Sequence, residues 1–296
     1  MVHAHGTTAP RIRLKDFVVV TKPGIVVGNV CATIGGFLLA SKNGVNITAL
    51  VGVAIGTLLV IAASCVVNNY LDRTIDRKMS RTHKRPSATG TLPFRVAMLY
   101  AAALYVVGFT LLLWLTNVPT AAIGFLGALF YTLVYGYAKR HTHHGTLIGS
   151  LPGATPPLAG YVAASGVLDQ GAWLVFAAMV AWQMPHFYAI GIRRLEDYKA
   201  AGVPILPAVK SLGRTVWEMR IYGIGFVISC YLLAHWGYAG FMFGFGTITL
   251  GLYWLQAMFS PNWRTDTEKT AKTVFVRSLY VLLGFCFFMA MSHVLL

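Results

Sequence analysis

Long apolar runs alternate with short polar connections along this chain, and the runs share one length. Nine segments lie near 23–41, 49–69, 94–115, 118–138, 146–165, 171–191, 216–236, 239–259 and 273–295. Each approaches the roughly 20 apolar residues that cross a bilayer core as a helix. Backbone immersed in lipid must satisfy its own hydrogen bonds, so each segment is expected to be helical, and no barrel-type alternation competes with that reading. Residues 1–22 carry Arg11, Arg13, Lys15 and Lys22 and lack the apolar core of a cleavable signal. They are expected to form a cytoplasmic N-terminal segment, with a single transmembrane domain over 23–296. Two polar loops interrupt that domain, at about 70–93 and 192–215.

Composition strengthens this picture. The chain of 296 residues is 56% hydrophobic and 11% charged, whereas soluble domains are about 25% charged. The fold class expected is all-α and polytopic. A net charge of +15 raises the question of nucleic acid, but the distribution of the bases argues against it. They gather in the N-terminal segment and in the loops after the second, fourth, sixth and eighth runs. The opposite loops hold only Lys42 of 24 Lys and Arg residues. That asymmetry is the positive-inside pattern, and it places the N-terminus and both long loops in the cytoplasm. Cys31, Cys65, Cys230 and Cys286 are isolated within apolar runs, which predicts neither a metal cluster nor a disulfide framework.

Chemistry concentrates where the second run ends, at Asn68-x-x-x-Asp72-x-x-x-Asp76. At helical spacing these positions share one face, close enough for both carboxylates to grip one cation. Arg73, Arg77, Lys78, Arg81, Lys84 and Arg85 follow at once. Acids among many bases at a membrane surface suggest a divalent metal bound together with a polyanion. Magnesium suits that arrangement, because it takes one or two carboxylates plus phosphate oxygens. The bland alternative is a solvated loop of weak surface ion pairs.

The sixth run echoes the second: Trp182-Gln-Met-Pro-His186 leads into a second basic loop containing Arg193, Arg194, Glu196 and Asp197. Two halves that each donate one polar loop to a shared mouth would account for the echo, which transporters also display. Gly24-x-x-x-Gly28, Gly35-Gly36 and Gly240-x-x-x-Gly244 offer close helix approach. Pro152, Pro156 and Pro157 are expected to interrupt the fifth helix and to wall an internal chamber, with simple kinking for packing as the alternative. Tyr131, Tyr135, Tyr137, Trp182, Phe187 and Tyr188 fit an interfacial aromatic belt, or a surface that steadies a passing cation. His186 lies inside an apolar run, where an ionisable group is a functional candidate, with a packing histidine as the alternative.

The stretch from Asn68 to Thr82 resembles the first aspartate-rich motif of UbiA-type intramembrane prenyltransferases. Thr21-Lys-Pro-Gly24, Gly145-Thr-Leu-Ile-Gly-Ser150 with Pro156-Pro157, Trp182-Gln-Met-Pro-His-Phe-Tyr188, Asp197-Tyr198 and Ile205-Leu-Pro207 narrow the resemblance to the haem O synthase branch. The resemblance implies about nine helices around a central chamber open to the cytoplasmic side of a bacterial inner membrane. It also implies farnesyl transfer from farnesyl diphosphate to a vinyl group of haem B, with addition of water. Mg2+ would be the cofactor, haem B a substrate, and a haem-modifying enzyme or terminal oxidase a downstream partner. Asn68, Asp72, Asp76 and Asp197 are then the expected metal and catalytic residues. Arg73, Lys78, Arg85, Lys139, Arg193 and Arg194 are expected to bind diphosphate, and Trp182, Gln183 and His186 to bind haem. The family's second aspartate pair is incomplete here, since Arg193 stands four residues before Asp197. A quinone-precursor or chlorophyllide-type acceptor, or an anion carrier, are the alternative readings.

Overall fold

The computed structural model describes residues 12–292, and every regular element among them is helical. Nine long helices form in the order of the apolar runs. They are α1 (Pro23–Ala40), α2 (Ile47–Leu71), α3 (Phe94–Leu115), α4 (Val118–His141) and α5 (Gly145–Ser165), followed by α6 (Gln170–Arg193), α7 (Leu212–His235), α8 (Phe241–Met258) and α9 (Thr267–Met291). Eight of them are long and apolar enough to cross a membrane. The exception is α5, whose Gly, Ser, Thr and Pro content lowers its hydropathy and of whose residues none is exposed.

The boundaries have local causes. Asn46, Asn117, Asp169, Ser211 and Asp266 each accept a backbone N–H of the following first turn, capping α2, α4, α6, α7 and α9. Gly166, with φ 76°, ends α5 in the left-handed conformation that glycine adopts at least cost.

The prolines do not interrupt α5, contrary to expectation: it is helical throughout, with Pro152, Pro156 and Pro157 inside it. Pro156 frees the Pro152 carbonyl, and the Thr155 hydroxyl donates to that oxygen at 2.8 Å. The face around the prolines lies against α1 at very short range. A Cβ on Gly36 would fall 2.2 Å from the Pro157 carbonyl oxygen, and one on Gly160 1.9 Å from that of Thr33. The Gly35-Gly36 pair thus does serve close approach, whereas Gly24 and Gly28 face open space.

Contacts between loops define the two ends of the bundle. At one end Lys42, after α1, donates to the Gly237 carbonyl after α7 at 2.8 Å. Asn117, after α3, donates to Val162 near the end of α5 at 3.0 Å. At the other end the loop after α2 meets the loop after α6. Ile75 and Met79 form an apolar cluster with Ala201 and Val203, flanked by Tyr198 and Ile205. The two loops paired by the sequence echo thus pack against each other at this end.

Candidate active site

Helix α2 ends at Leu71, and a further turn, Arg73–Asp76, continues from it. The Asp72 N–H bonds the Asn68 carbonyl at 2.9 Å and the Asp76 N–H bonds the Asp72 carbonyl at 2.8 Å. This i→i+4 ladder keeps residues 68, 72 and 76 on one face although the helix relaxes at Asp72. All three are 2% exposed and line one cavity of about 720 Å³.

Buried carboxylates require partners, and the mouth supplies them. Lys139 Nζ lies 2.7 Å from Asp72 Oδ2, and Arg140 Nη2 lies 3.5 Å from Oδ1. Arg85 Nη1 donates to both oxygens of Asp76, at 3.0 and 2.9 Å. Asn68 Oδ1 accepts from Lys22 Nζ at 3.0 Å and from the Tyr131 hydroxyl at 3.4 Å, while its buried Nδ2 has no partner among the described residues. Lys22 adopts φ 56°, an unusual conformation for a side-chain-bearing residue, immediately before Pro23. Desolvation lowers the pKa of its ammonium, and Arg85 and Lys139 push the same way. The mouth therefore concentrates cations that an incoming anion would relieve.

A five-residue π-helical stretch, Phe130–Val134, interrupts α4, a distortion common at functional sites. Tyr131, Tyr135 and Lys139, four residues apart, all line the cavity, and the two tyrosine rings stack at 5.6 Å. The Gly145 and Gly149 positions of α5 explain themselves here. A Cβ at 145 would lie 2.9 Å from Lys139 Cα, and one at 149 would lie 2.7 Å from the Tyr135 ring.

On the α6 side, His186 Nδ1 pairs with Ser278 Oγ at 2.7 Å, and Ser278 Oγ itself donates to the Phe275 carbonyl. That network assigns the proton to Nδ1 and leaves the Nε2 lone pair free. Trp182 Nε1 donates to the Ser278 carbonyl at 2.8 Å, and its ring stacks on His186 at 4.9 Å. Trp182, expected to bind haem, turns one face of its ring to His186 and so orients the imidazole. Gln183 Nε2 is held by the Ser150 and Met179 carbonyls, so only its carbonyl oxygen remains to order a water.

Other expected residues fall elsewhere. Arg73 and Lys78 are exposed and absent from the cavity wall, because neither shares the 68–72–76 face. Asp197 does not join the other carboxylates; it accepts from Ser80 Oγ at 2.8 Å, where the two loops meet. Arg193 and Arg194 do reach the cavity, and Arg193 Nε is buried with no partner among the described residues. Lys22 was the residue missed. Its signal was the Lys-Pro-Gly sequence at the start of the first run, read as a motif without a role.

Residues 29–291 match the UbiA prenyltransferase family. A protoheme IX farnesyltransferase of Citrobacter koseri is 40% identical over 95% of this chain and 98% of its own. Among solved structures, a digeranylgeranylglyceryl phosphate synthase superposes with a TM-score of 0.76 at 21% identity, over 94% of this chain and 98% of its own. A UbiA homologue from Archaeoglobus fulgidus, bound to GPP and Mg2+, superposes with a TM-score of 0.63 at 14% identity, over 93% and 99%. The chain belongs to the UbiA prenyltransferase family and, within it, to the branch of the protoheme IX farnesyltransferases.

Proposed function

We propose that this protein transfers the farnesyl group of farnesyl diphosphate to a vinyl group of haem B, with addition of water, giving haem O and diphosphate. The observation that carries this reading is a single cavity joining a buried acid–base mouth to a long apolar interior. An allylic diphosphate and a porphyrin each need both environments.

The reaction needs no nucleophilic side chain. The C1–O bond breaks with its electron pair leaving on diphosphate, and the vinyl π pair bonds to C1. The resulting cation takes a water oxygen, and the released proton passes to diphosphate or solvent. Lys22, Arg85 and Lys139 hold the diphosphate oxygens, with Arg193 and Arg194 closing from the second loop. Cations fixed there before the bond breaks stabilise the charge that develops on the leaving group. The stacked Tyr131 and Tyr135 rings face the allylic carbon and exclude bulk water from it.

The residues present fit a magnesium ion. Asn68, Asp72 and Asp76 offer hard oxygen donors, too few for a complete cage, which is how Mg2+ is held when substrate phosphates finish its shell. Once bound, it neutralises charge on the leaving diphosphate. Porphyrin occupies the α6–α9 side, with His186 Nε2 as the iron ligand. The protein is multi-pass, with all nine long helices crossing the bacterial inner membrane and the mouth, both long loops and the N-terminus on the cytoplasmic side. A haem-modifying enzyme or terminal oxidase receives the product.

The test is the mass of the haem formed in membranes expressing this chain, supplied with haem B, farnesyl diphosphate and Mg2+. A hydroxyethylfarnesyl adduct is expected, and His186→Ala should both shift the Soret band of bound haem and lower transfer. Diphosphate release without any haem adduct would instead favour a different acceptor ring.

A further inference from the structure

The cavity has a direction. Its lining positions run from Asp72, just beyond α2, along that helix through Asn68, Cys65 and Ile61 to Thr57, each three or four residues apart. It therefore follows one face of α2 away from the mouth, turning from polar to largely apolar on the way. Asn68 and Thr57 are separated by 68 − 57 = 11 residues, roughly 16 Å at the helical rise.

At the far end stands Leu112 of α3, lining the cavity and 0% exposed. Its side chain rests on glycines and belongs to a buried apolar cluster with Phe37, Val53, Val60 and Ala121. A Cβ on Gly56 would lie 2.8 Å from Leu112 Cδ2, and one on Gly124 would lie 3.1 Å from Cδ1. Beyond that level α2 and α3 touch: a Cβ on Gly52 would sit 2.4 Å from Leu115 Cβ. A leucine with glycine backbone behind it has nowhere to retreat, so the size of residue 112 sets the depth of the channel.

We propose that Leu112 closes the channel for the prenyl chain and sets the longest isoprenoid accepted, an assignment that rests on the farnesyl-transfer reading above. The lengths agree. Three extended backbone bonds span about 3.5 Å, so a four-bond isoprene repeat spans about 5 Å and three repeats about 15 Å. A farnesyl chain with its diphosphate at the mouth ends against Leu112, and a fourth repeat overruns it. Thr57, whose hydroxyl is buried without a partner among the described residues, meets the last repeat. The porphyrin is left the α6–α9 side, where the walls are aromatic.

The experiment gives membranes containing the enzyme haem B with geranyl, farnesyl and geranylgeranyl diphosphates in competition. Product haems are read by mass and diphosphate release is measured for each donor alone. The wild type should favour farnesyl over geranylgeranyl by roughly tenfold or more, the size of effect that filled or missing apolar groups produce. Leu112→Ala should raise the geranylgeranyl-to-farnesyl product ratio by a similar factor. Gly124→Ala, which drives the leucine inward, should shift preference toward geranyl. Equal use of both longer donors by the wild type overturns the assignment, as does a product ratio in Leu112→Ala that stays within twofold of the wild type. If no haem adduct forms, the acceptor reading fails, and the order of the three diphosphate-release rates still decides the channel.

Discussion

Asp72 and Asp76 sit one turn apart, yet different elements balance them: Asp72 is held by α4 through Lys139 and Arg140, and Asp76 by its own loop through Arg85. Each carboxylate is therefore structural as well as chemical. Removing one leaves a desolvated cation behind, a loss that commonly costs about 3–5 kcal/mol. Asp72→Ala would confound folding with catalysis, whereas Asp72→Asn keeps the shape and removes the charge. Turnover of Asp72→Asn at saturating magnesium is expected to fall by ~10²–10³-fold, the cost of losing one transition-state charge stabiliser. Its level in the membrane should match the wild type. Near-normal turnover would remove this carboxylate from the leaving-group site.

Among the long helices, α5 alone is not apolar enough to count as a membrane span, and none of its residues is exposed, with α1, α4 and α6 around it. Its glycines and prolines are packing devices. Gly149 seats Tyr135, a Cβ on Gly153 would meet Gln183 Oε1 at 2.0 Å, and Gly160 touches the α1 backbone. Flexible side chains can yield at the first two positions, but a carbonyl oxygen cannot. Gly160→Val is accordingly expected to destabilise the protein by at least the 1–3 kcal/mol, about, that overpacking costs. The check is a lowered unfolding temperature in detergent, with less protein in the membrane. An unchanged melting curve would mean that α1 and α5 are free to separate.

For the whole molecule, loop contacts sort the connections into two groups. Lys42 and Gly237 meet at one end, and Ser80 and Asp197 at the other. The basic loops are at the Ser80 end, so the charge asymmetry predicts that end to be cytoplasmic. Single cysteines placed at Lys42 and at Lys84, in a chain whose native cysteines are replaced, test this with an impermeant thiol reagent. Lys42→Cys should be labelled from outside intact cells, and Lys84→Cys only after the membrane is opened. The reverse pattern would invert the assigned orientation.

The helical class, the order of the long helices and the acid–base mouth were all legible in the chain. Each rests on a local rule: span length for the helices, charge asymmetry for the loops, and four-residue spacing for Asn68, Asp72 and Asp76. Long-range choices were not legible. Lys22 joins Asn68 across 46 positions, and Lys139 joins Asp72 across 67. Proximity between such residues is set by helix packing, which no local spacing encodes. Arg73 and Asp197 show the opposite error: the right residue types in the right stretch, carried off the cavity wall by a rotation about the helix or by a competing partner, Ser80. Trp182 could be placed one turn from His186, but whether its ring faced a ligand or the imidazole depended on where Ser278 of α9 arrived. The prolines of α5 were read as a break because their missing N–H groups are visible in sequence, while the enclosing helices that let it stay continuous are not. Sequence by itself determined which groups of this protein must be buried in lipid and which must be charged. Tertiary structure alone decided which of those charges face one another, because that depends on glycine contacts between helices far apart in the chain.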